Sequence, residues 1–445
     1  MNQADMNQAE MNQADRNNLE HGAGNPDDGM PSKDRPGSNL SGAVGSTERE
    51  PGAEDRAVPR ILIQAGALQA VAPYLEQRGI RQAVIAADAA TYEAAGERLA
   101  RRLEAAGVAV QATRIRPNAQ GDVIADEVAL MQLLVDLKRS GAPAVISVGG
   151  GTLHDIARFC AYAAGAAFLS VPTAPSVDGF NSLGAPVILR GEKITIPAVG
   201  PDAVFADLDV LTRAPARLAA AGFGDMLGKF TSLFDWRFGA EIADEPYLAE
   251  AADRTRLALE TCVANVDRIA ARTEEGIHSL IGALIESGLA MLLFGRSHPA
   301  SGSEHHLSHY WEMEYIRLGK RQLLHGAKVG VASIEISRLY HRLADLGPDK
   351  WLPAARTDGD AMAARMADRI AGRWSALERE LRRIPQPEAL AELLARAGGP
   401  TTPEELAIEP ELLRRSLREA HRVRAERFTL LRAYNELGAF PAPSR

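Results

Sequence analysis

Between residues 60 and 210, short apolar, β-branched runs alternate with helical windows, and this alternation constrains the fold more than any other feature of the chain. The runs are ILIQ, QAVIAAD, VAVQATRI, AVISVGG and AFLSVPT; the windows among them are YEAAGERLARRLEAAG, DEVALMQLLVDLKRSG and TLHDIARFCAYAAG. A connection of helical length brings the chain back to the same edge, so the strands it joins run parallel. The expectation is an α/β N-terminal Rossmann-like domain over 59–210, its parallel sheet covered by helices on both faces. Past residue 211 strand signals stop, while helical periodicity continues through RLALETCVANVDRIAAR, HSLIGALIESGLAMLLFG, AKVGVASIEISRLYHRLADLG and AMAARMADRIAGRWSALERELRRI. An all-α C-terminal domain over 211–445 is therefore expected.

Residues 1–58 belong to neither. They open with a repeat of MNQA(D/E) and continue in a Gly/Pro/Ser/Asp-rich run with too little apolar surface to offset chain ordering, so a disordered tail is expected. This tail also holds eleven acids against five bases, which is −6 of the total net charge of −8 and leaves −2 for everything after it. So nearly neutral a globular part argues against nucleic acid or an anionic membrane as a partner. The only cysteines, Cys160 and Cys262, each fall in a helical window, which suits a reducing compartment better than a disulfide framework. With no apolar leader in the first thirty residues, a cytoplasmic protein is expected. Near the end, Thr402-Pro403-Glu404-Glu405 reads as a capped helix start. The last helix carries Arg414, Arg415, Arg418, Arg422, Arg424 and Arg427 among Glu and Leu, a pattern read as a solvated face.

Two segments point to a dinucleotide. Gly149, Gly150 and Gly151 follow an apolar strand and precede a helix, where bare backbone amides and the helix N-terminus can approach a pyrophosphate; a tight turn is the structural alternative. The loop VPTAPSVDGFNS leaves the next strand at the edge where open α/β sheets bind ligands, and it carries hydroxyls at Thr173, Ser176 and Ser182 and a carboxylate at Asp178. Asp88, ending AVIAAD, either accepts from the adenosine ribose or caps the helix that follows. In the first case it repels a 2′-phosphate, favouring NAD with NADP as the alternative.

Five of the ten histidines, His298, His305, His306, His309 and His325, fall within 298–325. His305 and His309 are four apart and share a helix face, while His306 is turned about 100° away. Two neutral imidazoles and one carboxylate suit a divalent cation with positions left open for substrate oxygens. The carboxylate candidate is Asp225 in GFGDMLGK, where Gly222 and Gly224 free the backbone and a helix is expected to begin. Lys229, one turn later, is either a phosphate ligand or a structural ion pair.

The motifs GFGDMLGK, SGSEHHLSH and LLHG, with GGGTLHDIARF, VPTAPSVDGFNS and KITIPAVGPDAVFADLDVL in the same order, resemble the sn-glycerol-1-phosphate dehydrogenases, especially the bacterial ones. These belong to the superfamily of glycerol dehydrogenase, iron-containing alcohol dehydrogenases and 3-dehydroquinate synthase, and the likeness covers roughly 60–340. It implies a dehydroquinate synthase-like fold, a homodimer, and reversible reduction of dihydroxyacetone phosphate to sn-glycerol 1-phosphate. It also implies metal ligation by Asp225, His305 and His325 (zinc or nickel ahead of iron), and substrate contacts from Asp178, Asp225 and His309. The dinucleotide would be lined by Asp88, by Gly149, Gly150, Gly151, Thr152, Leu153, His154 and Asp155, and by Thr173, Ala174, Pro175, Ser176 and Ser182. Thr152 and Arg158 stand where relatives often carry Ser or Lys, and Lys. A glycerol dehydrogenase and a sugar-phosphate cyclase are the alternatives on this fold; Asp225 in GDMLGK, where cyclases present Glu in ExxK, argues against the latter.

Overall fold

The computed structural model describes residues 60–352 and 361–438, which belong to one compact unit. The N-terminal repeat, expected as a tail, lies outside the described residues. Six strands, β1 (Arg60–Gln64), β2 (Gln82–Ala87), β3 (Ala109–Arg114), β4 (Ala144–Gly149), β5 (Ala167–Pro172) and β8 (Ala203–Asp207), form a sheet in the order β1-β8-β5-β4-β2-β3. Every pairing is parallel, as the alternation predicts. Successive residues of the central strands serve opposite faces. Ile85, Ile146 and Leu169 pack in one core with Leu75 of α1 (Val71–Gln77) and Leu99 of α2 (Glu97–Ala105). Val84, Val145 and Phe168 pack in another with Leu133 of α3 (Glu127–Ser140) and Ile156 of α4 (Gly151–Ala164). Helices therefore cover both faces, and β4 and β8, buried along their whole length, read as continuous apolar runs.

The chain runs outward from β2 to β3 and returns through α3 to β4, from which it proceeds the other way to β5. The reversal leaves a crevice between the carboxyl ends of β2 and β4, where open α/β sheets hold ligands. Since Ala86 pairs with Ser147, Asp88 and Gly149 end their strands level with each other across it.

β8 lies outside the five runs read from the sequence, and a further element departs from that reading. An antiparallel hairpin of β6 (Gly184–Leu189) and β7 (Glu192–Pro197) interrupts the βα alternation. Its two-residue turn, Arg190 (φ 54°) and Gly191 (φ 78°), has the positive dihedrals that match strand twist. Pro186, Pro197 and the mostly exposed β7 give it no continuous apolar run.

From Ala216 the structure is helical: α5 (Ala216–Leu227), α6 (Lys229–Ala243), α7 (Ala249–Ala264), α8 (Glu274–Phe294), α9 (Ser303–Arg317), α10 (His325–Leu346), α11 (Ala361–Leu381), α12 (Pro387–Arg396), α13 (Pro410–Glu419) and α14 (Leu430–Leu437). Val204 and Ala206 of β8 share a core with Phe223, Leu259, Ile281 and Leu284, so packing is continuous from sheet to helices. By length and composition α8 is apolar enough to cross a membrane, but its Ile277, Leu280, Ile281, Leu284 and Ile285 lie in that same core.

Three helical expectations are corrected. Asp225 does not start a helix: GFGD lies in the second half of α5. The box at Thr402 is made, with Thr402 N–H donating to Glu405 Oε2 (3.2 Å) and Glu405 N–H to Thr402 Oγ1 (3.4 Å), but it opens only a 3₁₀ turn, Glu404–Leu406, ended by Ala407 at φ 53°. The arginine-rich stretch is not one solvated helix but α13, a 3₁₀ turn (Ala420–Arg424) and α14. Arg414, Arg418 and Arg422 are exposed, whereas Arg427 is buried.

Candidate metal and dinucleotide site

Glycines decide where the helices meet. A Cβ on Gly224 would stand 2.4 Å from the Gly326 carbonyl oxygen, and one on Gly326 would stand 1.8 Å from the Ala221 oxygen. Only without side chains can α5 and the start of α10 touch backbone to backbone, which sets Asp225 beside His325. Gly222 plays the same part toward the sheet: its absent Cβ leaves room for the Pro175 oxygen, which would otherwise be 1.9 Å away. The loop after β5 therefore rests directly on the helix that carries Asp225.

Ligand atoms of Asp225, His305 and His325 all lie within 4.8 Å of one another. Asp225 is fully buried, and its Oδ1 lies 3.6 Å from His305 Nε2. The other nitrogen of His305, Nδ1, is 2.7 Å from Glu304 Oε1. Glu304 is itself held by Thr231 Oγ1 (2.6 Å) and the Gly302 N–H (2.7 Å), a carboxylate that orients an imidazole and leaves Nε2 for the cluster. The donor set fits a divalent cation of the zinc, nickel or iron class, with open positions. His309 stands with its ring centroid 6.1 Å from His305 and 5.9 Å from His325.

Electrostatics set the charge of each donor differently. Burial opposes ionisation of Asp225, but the Lys229 charge, the His305 hydrogen bond and the two imidazoles outweigh it and hold the carboxyl below its ordinary range. Burial likewise disfavours a charged His305, yet its bonds to Asp225 and Glu304 prevail and raise it. His325 is brought down to about 3 by burial, against the pull of Asp225, and stays neutral. Burial, then Lys193 and Arg424, keep His309 well below its usual value.

Lys229 is fully buried and gives Nζ to Asp178 Oδ2 (2.7 Å), Asp225 Oδ1 (3.0 Å) and the Ala300 carbonyl (3.0 Å). It is the structural ion pair of the two alternatives. Asp178 Oδ2 also accepts from Ser287 Oγ (2.8 Å), and the Asp178 N–H donates to Asp225 Oδ2 (3.0 Å). A second trio of nearby donors, His309, Glu312 and His325, differs in kind: Glu312 accepts from Lys193 (2.8 Å to each oxygen) and Lys328 (3.0 Å), so its charge is already matched.

On the sheet side the glycines divide. Gly149 makes room for Leu153, and Gly151 for Val177, whose side chains would lie 2.2 Å and 2.8 Å from an added Cβ. A Cβ on Gly150 would meet only Ser176 Oγ, 4.0 Å off, and as the residue before α4 it offers no side-chain cap, so no side chain of its own occupies the helix N-terminus. Thr173 and Ser176 are held at this point, Thr173 N–H donating to the Gly149 carbonyl (3.1 Å) and Ser176 N–H to that of Ala174 (3.0 Å).

Other residues expected on the cofactor point elsewhere. His154 is a core histidine, with ring nitrogens 2.9 Å from the Gly150 oxygen and 2.8 Å from Ser170 Oγ and with Phe180 packed edge-on; Leu153 is buried beneath Gly149. Both lie on the inward face of α4, one turn in, where a helix on a sheet must be filled. The Ser182 hydroxyl is directed to the Gly184 carbonyl (3.2 Å). Asp155, raised to about 7 chiefly by burial, pairs with Arg158 (2.9 Å). Asp88 caps the following turn, accepting from Thr91 N–H (2.7 Å) while Thr91 Oγ1 accepts from Asp88 N–H (3.0 Å). Its position at the switch point remains compatible with a ribose as well.

Sequence reasoning assigned no role to Glu304, Ser287 or Arg158. Glu304 was signalled only by its place before His305. Arg158 is fully buried and donates to the carbonyls of Gly179, Phe180 (3.0 Å) and Gly184 (2.7 Å), pinning the loop that carries Asp178.

A parallel sheet with a glycine turn at its switch point, and a carboxylate and two imidazoles gathered on the adjoining helices, is an arrangement suited to a dinucleotide and a divalent cation. Residues 62–215 match the family model of iron-containing alcohol dehydrogenases. A variant of an archaeal halo-thermophilic alcohol dehydrogenase from a Red Sea brine pool has a similar fold (TM-score 0.61, 14% identity, over 85% of this chain and 96% of that one). The glycerol-1-phosphate dehydrogenase [NAD(P)+] of Geobacillus thermodenitrificans is 44% identical over 86% of this chain and 93% of its own length. That of Geobacillus stearothermophilus is 44% identical over 86% and 94%. The chain belongs to the glycerol-1-phosphate dehydrogenase family and is an NAD(P)-dependent oxidoreductase.

Proposed function

We propose that the protein catalyses the reversible reduction of dihydroxyacetone phosphate to sn-glycerol 1-phosphate by NADH or NADPH, with one divalent cation held by Asp225, His305 and His325. The observation that carries this reading is the 3.0 Å hydrogen bond from the Asp178 N–H to Asp225 Oδ2, which ties the loop expected to line the cofactor to the carboxylate of the metal cluster. A bound cation supplies polarisation of the C2 carbonyl in reduction and a lowered alcohol pKa in reverse.

The chain's own residues do the rest. Gly150, Thr152, Thr173 and Ser176 would hold the dinucleotide, on the side of the sheet whose loop also carries Asp178. C2 gains hydride and its oxygen gains a proton, giving the secondary alcohol and the oxidised cofactor. His309, neutral and beside both ligand imidazoles, is placed to contact the substrate and relay that proton through a hydroxyl or water. Names of relatives at 44% identity support this substrate over unphosphorylated glycerol. A homodimer in the cytoplasm, acting on a small molecule rather than nucleic acid or membrane, completes the reading.

The test is stereochemical. Full-length protein loaded with nickel or zinc is incubated with NADH and dihydroxyacetone phosphate, and the product is resolved by enantiomer. The expected result is NADH consumption with sn-glycerol 1-phosphate formed; the sn-3-phosphate, or turnover confined to unphosphorylated substrates, would reject the assignment.

A further inference from the structure

A substrate phosphate brings up to two negative charges beside the metal cluster, yet Lys229, the sequence candidate for holding it, is fully enclosed by Asp178, Asp225 and Ala300. Lys193 and Lys328 are no freer, since both ammoniums sit on Glu312. A different set of cations borders His309. On a helix His309 lies between its neighbours, about 40° from His305 and about 60° from His306, so the side of His309 away from the metal ligands is the side of His306. The 3₁₀ turn Ala420–Arg424 packs on α9 there. The helix just before it, α13, is fixed to α9 by hydrogen bonds from Trp311 Nε1 to Ser416 Oγ (3.0 Å) and from Tyr310 Oη to Glu419 Oε2 (2.5 Å).

This contact brings two guanidiniums to the wall of the site. Arg424 is partly exposed and donates to Ser297 Oγ (2.6 Å), with no ion pair among the described residues. Arg427 is 1% exposed and donates Nη1 to the Ser301 carbonyl (2.9 Å); its Nε lies 3.4 Å from Glu245 Oε2 without a hydrogen bond, and its Nη2 has no partner. Beside them, the hydroxyl of Ser301 and both ring nitrogens of His306 are buried without a hydrogen-bond partner. Burial, then Arg427's charge, lower Arg424 from its ordinary value. Unpartnered buried donors and neighbouring like charges are costly unless an anion joins them. A phosphate presents several acceptor oxygens that match guanidinium geometry.

We propose that Arg424 and Arg427, with Ser301 and His306, seat the phosphate of the substrate, so that the segment after α13 determines the preference for a phosphorylated ketone. The inference rests on the reading above, in which the reacting carbon lies at the metal cluster. The phosphate is tethered to that carbon through only C1 and one ester oxygen, and successive carbonyls join the two regions: Ala300 accepts from Lys229, which holds Asp225, and Ser301 accepts from Arg427. Arg424 is then a specificity residue, and Arg427, buried behind it, positions it and adds charge.

The experiment compares kcat/KM for dihydroxyacetone phosphate and for dihydroxyacetone, with NADH, in the full-length metal-loaded protein and its Arg424→Met variant. Loss of a charge-assisted, forked contact lowers the preference for the phosphorylated substrate roughly 100-fold, and Arg424→Lys restores part of it. Inorganic phosphate, competitive against dihydroxyacetone phosphate in the wild type, has its inhibition constant raised in Arg424→Met. If Arg424→Met is not recovered folded, Ser301→Ala carries the same readout, with a several-fold fall in the preference. A preference ratio unchanged in these variants overturns the proposal, as does a ratio that collapses in Lys193→Met alone, which would move the phosphate to the hairpin side. A wild type that leaves dihydroxyacetone phosphate untouched counts instead against the proposed function.

Discussion

Gly224 and Gly326 touch backbone to backbone, the Gly326 oxygen standing 2.4 Å from where a Cβ on Gly224 would lie. Each residue is next to one of the proposed ligands, Asp225 and His325, so one steric fact sets the separation of these two side chains on different helices. Gly224→Ala forces the helices apart against well-packed neighbours. The expected destabilisation is about 1–3 kcal/mol, with a loss of bound metal larger than the loss of folded protein. Calorimetry and metal analysis on the same sample check this; full metal content in Gly224→Ala would show that the contact does not set the site.

Glu304 never touches the cluster's open side, yet its Oε1 is 2.7 Å from His305 Nδ1. Glu304→Gln keeps the shape and removes the charge, so metal affinity is expected to fall about 10–100-fold, measured by competition with a chelator. Asp225→Asn and His305→Ala, which remove donors, are expected to abolish metal and turnover together.

Much of this was legible in the chain, for physical reasons. Parallel strands buried on both faces leave apolar runs, and their regular spacing with helices gave the sheet. Motifs bearing Asp225, His305 and His325 kept their chemistry visible because few other residues can take those roles. What was not legible depends on contacts between distant segments. His154 sits one position from Asp155 in a motif that reads as a cofactor loop, but the helical turn aims it at Ser170. The arginines near 424 look like a solvated face in sequence, since nothing local reveals that a 3₁₀ turn carries them onto α9. The hairpin at 184–197 lacks an apolar run because β7 is largely exposed.

His154 also makes a prediction about pH. Burial first, with Arg158's charge adding, depresses it from 6.5 to about 3 against the Gly150 hydrogen bond. The unfolded chain therefore binds a proton that the folded one refuses between these values. The stability due to a neutral His154 is complete above pH 6.5 and is lost as pH falls toward 3, by up to a few kcal/mol. Denaturant unfolding of wild type and His154→Gln from pH 7.5 to 4.5 should give a shallower acid slope for the variant. Parallel slopes would contradict it.

Asp88 and Gly149 end adjacent strands level with each other, so an acid there faces whatever lies over the glycine turn. Asn in its place still caps Thr91 but no longer repels a 2′-phosphate. Asp88→Asn is expected to raise the NADPH to NADH ratio of kcat/KM, with stability changed by under about 1 kcal/mol. An unchanged ratio would leave Asp88 as a cap and nothing more.

Arg158 is fully buried and donates to three carbonyls of one loop. Lysine keeps the charge but supplies a point donor where a planar fork serves Gly179, Phe180 and Gly184. In Arg158→Lys the loop bearing Asp178 should loosen while Asp225, His305 and His325, on other elements, keep their metal. The expected signature is a raised KM for cofactor and substrate at near-normal metal content, with about 1–3 kcal/mol lost from folding. A variant that lost metal in proportion to activity would instead mean that the loop and the cluster fold as one unit, with the Asp178 amide bond to Asp225 as the element that couples them.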